Sequence, residues 1–261
     1  MRFLALQLLA CWPVWRWYGA RLTDGSDEPW GLVAVALAFA LLIGERTPTR
    51  EFDLRMPATL MLLYALTFAA LSPIFRAALA LVALSATLRQ LGFTRAASPS
   101  WLGLMMLSLP VIPSLQFVVG FPLRALVAMM AAPMLQLVGL PVVREGVALR
   151  WAEQLIAVDA PCSGVRMLWT GGVLVCALAC WLKLTPVRIV AAGLGGIVVI
   201  VAANVFRTVG LFFVEAHLIA LPAWSHAGLG LLIFALATVA LIAMVRSLAP
   251  REARCAVAAV S

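Results

Sequence analysis

The stretch PVRIVAAGLGGIVVIVAANVF, residues 186–206, decides the fold. One cation, Arg188, stands near its start, and apart from Asn204 the remainder is apolar or small. A helix crosses the roughly 30 Å hydrocarbon core of a bilayer with about 20 such residues. Working outward, comparable runs lie at 163–182 and 224–246, and earlier at 3–20, 29–44, 57–72, 74–91 and 100–120. Pro13, Arg16 and several tryptophans interrupt the first of these. Hydrophobic residues make up 64% of the chain and charged ones 11%, against about 45–50% and about 25% in soluble domains. Mean hydropathy is +1.07. Barrel strands would be short and alternating, which these runs are not. The expectation is an all-α, polytopic transmembrane helical bundle of about eight spans. With no internal repeat, low-complexity tract or linker, residues 1–261 read as a single integral membrane domain.

The net charge of +8 would suggest nucleic acid in a soluble protein. Here the basic residues sit between apolar runs, where they set orientation, so the expected partner is the lipid bilayer and not nucleic acid. Arg46, Arg50 and Arg55 form one basic loop, Arg89 and Arg95 a second, Lys183 and Arg188 a third, and Arg246, Arg251 and Arg254 a tail. Placing all four in the cytoplasm puts both termini there and leaves the acidic segment Asp24–Glu28 and the turn at Ser72-Pro73 outside. Residues 1–20 lack a small-residue cleavage site after their apolar part, so no cleavable signal peptide is expected. This orientation makes a demand on residues 121–161, because both ends then lie outside. The apolar part at 121–139, interrupted by Pro122 and Pro133 and followed by Pro141, is expected to lie along the interface or re-enter as a hairpin. The Arg144–Asp159 region is expected to be the longest wet stretch.

Three features fall on the outer face in this arrangement. The first is Asp159-Ala160-Pro161-Cys162-Ser163-Gly164, at the start of the 163–182 span. Proline favours the first turn of a helix, which puts Cys162 beside a helix N-terminus, where the dipole and unpaired N–H groups stabilise a thiolate. Arg166 stands one helical turn further on. The plainer reading is a small cysteine packed at a helix start with Pro and Gly as punctuation. Cys11, Cys176, Cys180 and Cys255 read as ordinary small residues, with neither CxxC nor zinc-type spacing.

The second feature is Asn204-Val205-Phe206-Arg207, expected at the outer end of the 186–206 span. Asn204 and Arg207 share a helical face; alternatively Arg207 merely snorkels to the headgroups. The third is Ser225-His226-Ala227-Gly228-Leu229-Gly230, at the outer start of the last span. The chain has two histidines, His217 and His226, both in this outer region. His226 begins a spanning helix and has Gly230 four residues on, which favours it over His217; a polar tip in the headgroup layer is the plainer alternative. Together a thiol, a base and a fixed cation are the parts acyl transfer needs. Arginine suits the cation's place because it stays charged where water is scarce.

The order Pro-Cys-Ser-Gly, Asn-x-x-Arg, His-x-x-x-Gly, each beside an expected span, resembles the exosortase/archaeosortase family of membrane cysteine transpeptidases. The resemblance covers about residues 115–245. It implies Cys162 as nucleophile, Arg207 as substrate-positioning or oxyanion cation and His226 as general acid/base. Asn204, Arg166, Ser163, Gly164 and His217 are supporting candidates. The implied enzyme is a cysteine endopeptidase/transpeptidase of the cell (inner) membrane, with its active site on the extracytoplasmic face and no metal or organic cofactor. The implied partners are membrane-tethered proteins whose C-terminal sorting signal comprises a short motif, an apolar helix and a basic cluster. The N-terminal third departs from the pattern: Asp27-Glu28-Pro29-Trp30-Gly31 stands where relatives often have a Tyr-Ser-His-Gly-like stretch. The acidic residues there read as a topology-respecting outer loop or as substrate contacts.

Two rival classes differ in their residues. A rhomboid-like serine protease needs Gly-x-Ser-x-Gly, which Pro161-Cys162-Ser163-Gly164 does not supply, and a metalloprotease needs His-Glu-x-x-His, whose second His at helical spacing Glu215-Ala216-His217 lacks. A non-catalytic membrane scaffold or transporter-like protein is the non-enzyme alternative. Transporters carry polar residues near the midplane, whereas the polar outliers here gather at one face.

Overall fold

The computed structural model describes residues 2–23, 30–47, 53–157, 164–219, 222 and 224–250. The acidic segment Asp24–Glu28 and the stretch Asp159–Ser163, with Cys162, lie outside the described residues. Helices dominate: α1 (Arg2–Ala10), α2 (Trp12–Thr23), α3 (Gly31–Ala40), α4 (Arg55–Thr67), α5 (Pro73–Gln90), α6 (Pro99–Leu107), α7 (Ile112–Leu137), α8 (Val165–Trp181), α9 (Pro186–Glu215) and α10 (Ser225–Ser247). Between α7 and α8 lie three strands, β1 (Val143–Glu145), β2 (Ala148–Trp151) and β3 (Gln154–Ala157). Among the described residues, α7, α9 and α10 are long and apolar enough to cross a membrane, and α3 and α8 are shorter apolar helices.

The chain groups into two compact units. The first comprises Met1–Val111, Cys176–Val190 and Leu248–Ser261. Its polar ties sit at helix ends: Glu45, after α3, pairs with Arg95 at 2.8 Å and with Lys183, after α8, at 2.9 Å. The Arg95 guanidinium also donates to the Leu41 carbonyl at 2.8 Å. One carboxylate thus gathers residues from three connections, all three among the loops expected to share a face. Fully buried Trp101 of α6 donates its indole N–H to Ala38 of α3 at 2.8 Å.

The second unit, Ile112–Val175 and Ala191–Ser247, holds the motifs. α7 corrects two expectations. The expected 100–120 span is divided between α6 and α7, and residues 121–137 continue α7 as one 26-residue helix in place of a re-entrant hairpin, one of the two readings of 121–139. Pro122 and Pro133 each remove one i→i−4 bond. Val127, Ala128, Ala131 and Leu135, all fully buried, pack one face of the helix against the core. In an apolar setting tertiary packing of this kind holds a proline-containing helix together.

In the stretch beyond α7 that was expected to be wet, residues 143–157 form a small antiparallel sheet in the order β1-β2-β3 within the helical fold. Two-residue loops, Gly146-Val147 and Ala152-Glu153, join its strands. Leu149 and Ile156 face each other across β2 and β3 and, with Trp151, pack toward Phe212 of α9. The Trp151 and Phe212 rings meet edge to face at 6.4 Å. On the exposed side Arg150 holds Glu145 bidentately, with the second bond at 2.6 Å. Those hydrogen bonds keep the Glu145 carboxyl below the usual carboxylate range.

α9 runs on past the expected end of its span, through Arg207 to Glu215. Its buried row Ala192, Gly196, Ile200, Asn204, Thr208, Phe212 advances by four residues at each step, the periodicity of one helix face. Val187, Val190, Leu194 and Val198 form an exposed apolar stripe on another face. At about 1.5 Å per residue its 30 residues reach about 45 Å, more than a bilayer core requires. Arg207 therefore stands two turns inside the helix and not at its end.

Candidate active site

Gly164, the last residue of the cysteine motif, leads into α8 with φ +79°. Its carbonyl accepts the Leu168 N–H at 2.8 Å. A Cβ placed on it would lie 2.8 Å from Asn204 Nδ2 and 2.9 Å from Asn204 Cγ. Backbone conformation and close approach both call for glycine here. The cysteine motif and the Asn-x-x-Arg motif thus meet directly, through an amide side chain that is only 1% exposed. Gly164→Ala is expected to destabilise the protein by about 2–4 kcal/mol, from left-handed strain and overpacking together. Thermal unfolding in detergent measures this; a melting temperature equal to wild type contradicts the tight Gly164–Asn204 contact.

From Asn204 the helix carries the site to Arg207 and Thr208. The Arg207 guanidinium lies against Gly230 of α10: a Cβ there would sit 3.3 Å from Nε and 3.6 Å from Cζ. Gly230 and His226 are one helical turn apart and share a face of α10. The Asn-x-x-Arg and His-x-x-x-Gly motifs therefore meet along the α9–α10 seam. Arg207 Nε is buried and has no hydrogen-bond partner among the described residues. His226 Nδ1 stands 3.6 Å from Glu215 Oε1. That is too long for a hydrogen bond, but it sets a carboxylate on the Nδ1 side and leaves Nε2 for other work.

A cavity of about 430 Å3 opens here, walled by β3, by Thr208, Leu211, Phe212 and Glu215 of α9, and by His226. The volume lies in the range typical of ligand sites. Thr208 is 8% exposed and its hydroxyl has no hydrogen-bond partner among the described residues. Helical threonines commonly bond the carbonyl one turn back; this buried hydroxyl makes no such bond.

The structure brings together Gly164, Asn204, Arg207 and His226. His217 sits apart from the cavity walls and caps the end of α9 in the left-handed region, φ +53°. Its N–H donates to the Val214 carbonyl at 3.1 Å, and the following Leu218 N–H donates to Phe213 at 3.0 Å, a C-terminal capping pattern. Arg166 is an exposed residue in the first turn of α8. Cys162 and Ser163 lie outside the described residues. Sequence reading missed Thr208, the pairing of Glu215 with His226, and β3. The available signal for Thr208 was its spacing of four from Asn204; Glu215 carried none, because it approaches His226 only across two helices.

The profile of the transmembrane exosortase family matches residues 2–243. No curated protein and no solved structure matches the chain. The family match and the long apolar helices together make this a membrane protein. The extent of the match, which spans all three motifs and nearly the whole chain, means that the chain belongs to the transmembrane exosortase family.

Proposed function

We propose that this chain is a membrane-embedded cysteine protease/transpeptidase that cleaves C-terminal sorting signals of secreted proteins through an acyl-enzyme on Cys162. The observation that carries the reading is the meeting of all three motifs in one unit: Gly164 against Asn204, Arg207 against Gly230, and His226 on a cavity. Cys162 stands two positions before Gly164, with Ser163 between them, a tether of at most about 7 Å.

In this reading Cys162 gives its thiol proton to His226 and its sulfur bonds the scissile carbonyl carbon. Arg207, held in a poorly hydrated seam, stabilises the oxyanion. The carbon–nitrogen bond then breaks, His226 returns the proton to the leaving amine, and a thioester remains. Water or an amine attacks that thioester and expels the thiolate. Glu215 orients the imidazole. The proposal includes about eight spans, a single integral membrane domain, residence in the cell (inner) membrane, and a site on the extracytoplasmic face. The shared pairing of Glu45 with Arg95 and Lys183 supports gathering three of the basic loops on one face.

The test is chemical trapping of the thioester. Precursor cleavage in the presence of hydroxylamine should yield product whose new C-terminus is a hydroxamate, read by mass spectrometry. A product bearing only a free carboxylate, at every hydroxylamine concentration, counts against an acyl-enzyme.

A further inference from the structure

β3 is the edge strand of the sheet, and its ladder pairs Trp151↔Gln154, Arg150↔Leu155, Leu149↔Ile156 and Ala148↔Ala157. In an antiparallel ladder, pairs that exchange both hydrogen bonds alternate with pairs that exchange none. A two-residue loop closes on a bonded pair, so Trp151↔Gln154 is bonded and Leu149↔Ile156 is the next. The β1–β2 loop gives the same answer independently. It closes on Glu145↔Ala148, which turns Ala148 and Arg150 toward β1 and leaves Leu149 and Trp151 for β3. Leu155 and Ala157 therefore direct their N–H and C=O groups away from β2, out of the sheet's edge.

That edge faces the cavity. All four residues of β3 line it, although successive strand residues point to opposite faces. A cavity touching one face would meet every second residue; one touching all four meets the edge. Thr208, Glu215 and His226 line the same cavity.

Resting on the function proposed above, we propose that the substrate's recognition segment binds as a fourth β-strand on the free edge of β3. The occupant is an extended peptide ahead of the substrate's membrane helix. A peptide backbone offers donors and acceptors at the spacing Leu155 and Ala157 present; an acyl chain offers none, and would leave those groups unmet at a cost. The edge is about 13 Å long, room for about four substrate residues. In the chain, β3 ends at Ala157, five positions before Cys162.

The experiment uses the full chain in detergent and a purified precursor that ends in a short motif, an apolar helix and a basic cluster. Leu155→Pro removes an edge-facing N–H without touching the β2 ladder, a placement edge strands tolerate. Arg144→Pro is the matched change on the opposite edge, because Arg144 pairs with Leu149 in a non-bonded position. Leu155→Pro should raise KM about tenfold, one lost hydrogen bond plus obstruction by the ring, while Arg144→Pro stays within about twofold of wild type. Cut-site peptides carrying single N-methyl groups should lose affinity at every second position. An unchanged KM in Leu155→Pro, or N-methyl penalties without that alternation, overturns strand addition. So does a selective loss of inserted Leu155→Pro protein, which would mean that the chain itself covers the edge. If Cys162→Ala still cuts the precursor, the parent function fails instead, and that result is read separately.

Discussion

Cys162→Ala is expected to leave the precursor of a C-terminally anchored protein uncut, while the variant accumulates in the membrane as wild type does. Removing the nucleophile of a group that acts as a unit costs about 10⁴-fold or more in turnover, so at cellular enzyme levels the size shift disappears altogether. Cys162→Ser is expected to be nearly as inactive, because a hydroxyl at neutral pH is a far weaker nucleophile than a thiol. The measurement is the ratio of precursor to product by immunoblot, with membrane fractionation to confirm insertion. Normal processing by Cys162→Ala would make Cys162 a packing residue and return the scaffold reading to first place. The other cysteines provide the contrast: Cys180 is 2% exposed and within 3.9 Å of the Ser98 hydroxyl, a setting for packing and not for attack.

His226→Ala is expected to lower kcat by about 10²–10⁴-fold, the usual contribution of a positioned general acid/base. The limb of the pH–rate profile that reports imidazole protonation should vanish with it. Glu215→Gln should give a smaller loss with the limb retained, because the amide still occupies the Nδ1 side of the ring. His217→Asn distinguishes the two histidines. Asparagine tolerates the left-handed backbone that His217 adopts, so α9 stays capped and activity is expected to stay within about twofold of wild type. An inactive His217→Asn beside an active His226→Ala would exchange the roles of the two residues.

The helical membrane character was legible because it depends on composition over long windows. Residues 186–206 and 224–246 carry too few polar groups to fold any other way, and both are helices. The three motifs were legible as local strings, and their order along the chain is enough to name them together. Local strings do not show how far a helix continues. Pro122 and Pro133 read as interruptions because each deletes a hydrogen bond, yet the burial of Val127, Ala131 and Leu135 keeps α7 intact. Arg207 read as the end of a span because charge is costly in lipid, yet the apolar Val209–Val214 stretch carries the helix onward.

The 143–157 sheet escaped notice for a related reason. Its strands are three or four residues long, too short for alternation to stand out. What holds them is the pairing of Leu149 with Ile156 over Phe212, some sixty residues away in the chain. Sequence alone determined the solvent of this protein, since apolar runs must go to lipid whatever their neighbours, and it set out the order of thiol, cation and imidazole. Only the tertiary structure decided which groups meet. Gly164 against Asn204, Arg207 against Gly230 and Glu215 beside His226 are contacts between elements, and their distances depend on how helices pack and not on how residues follow one another.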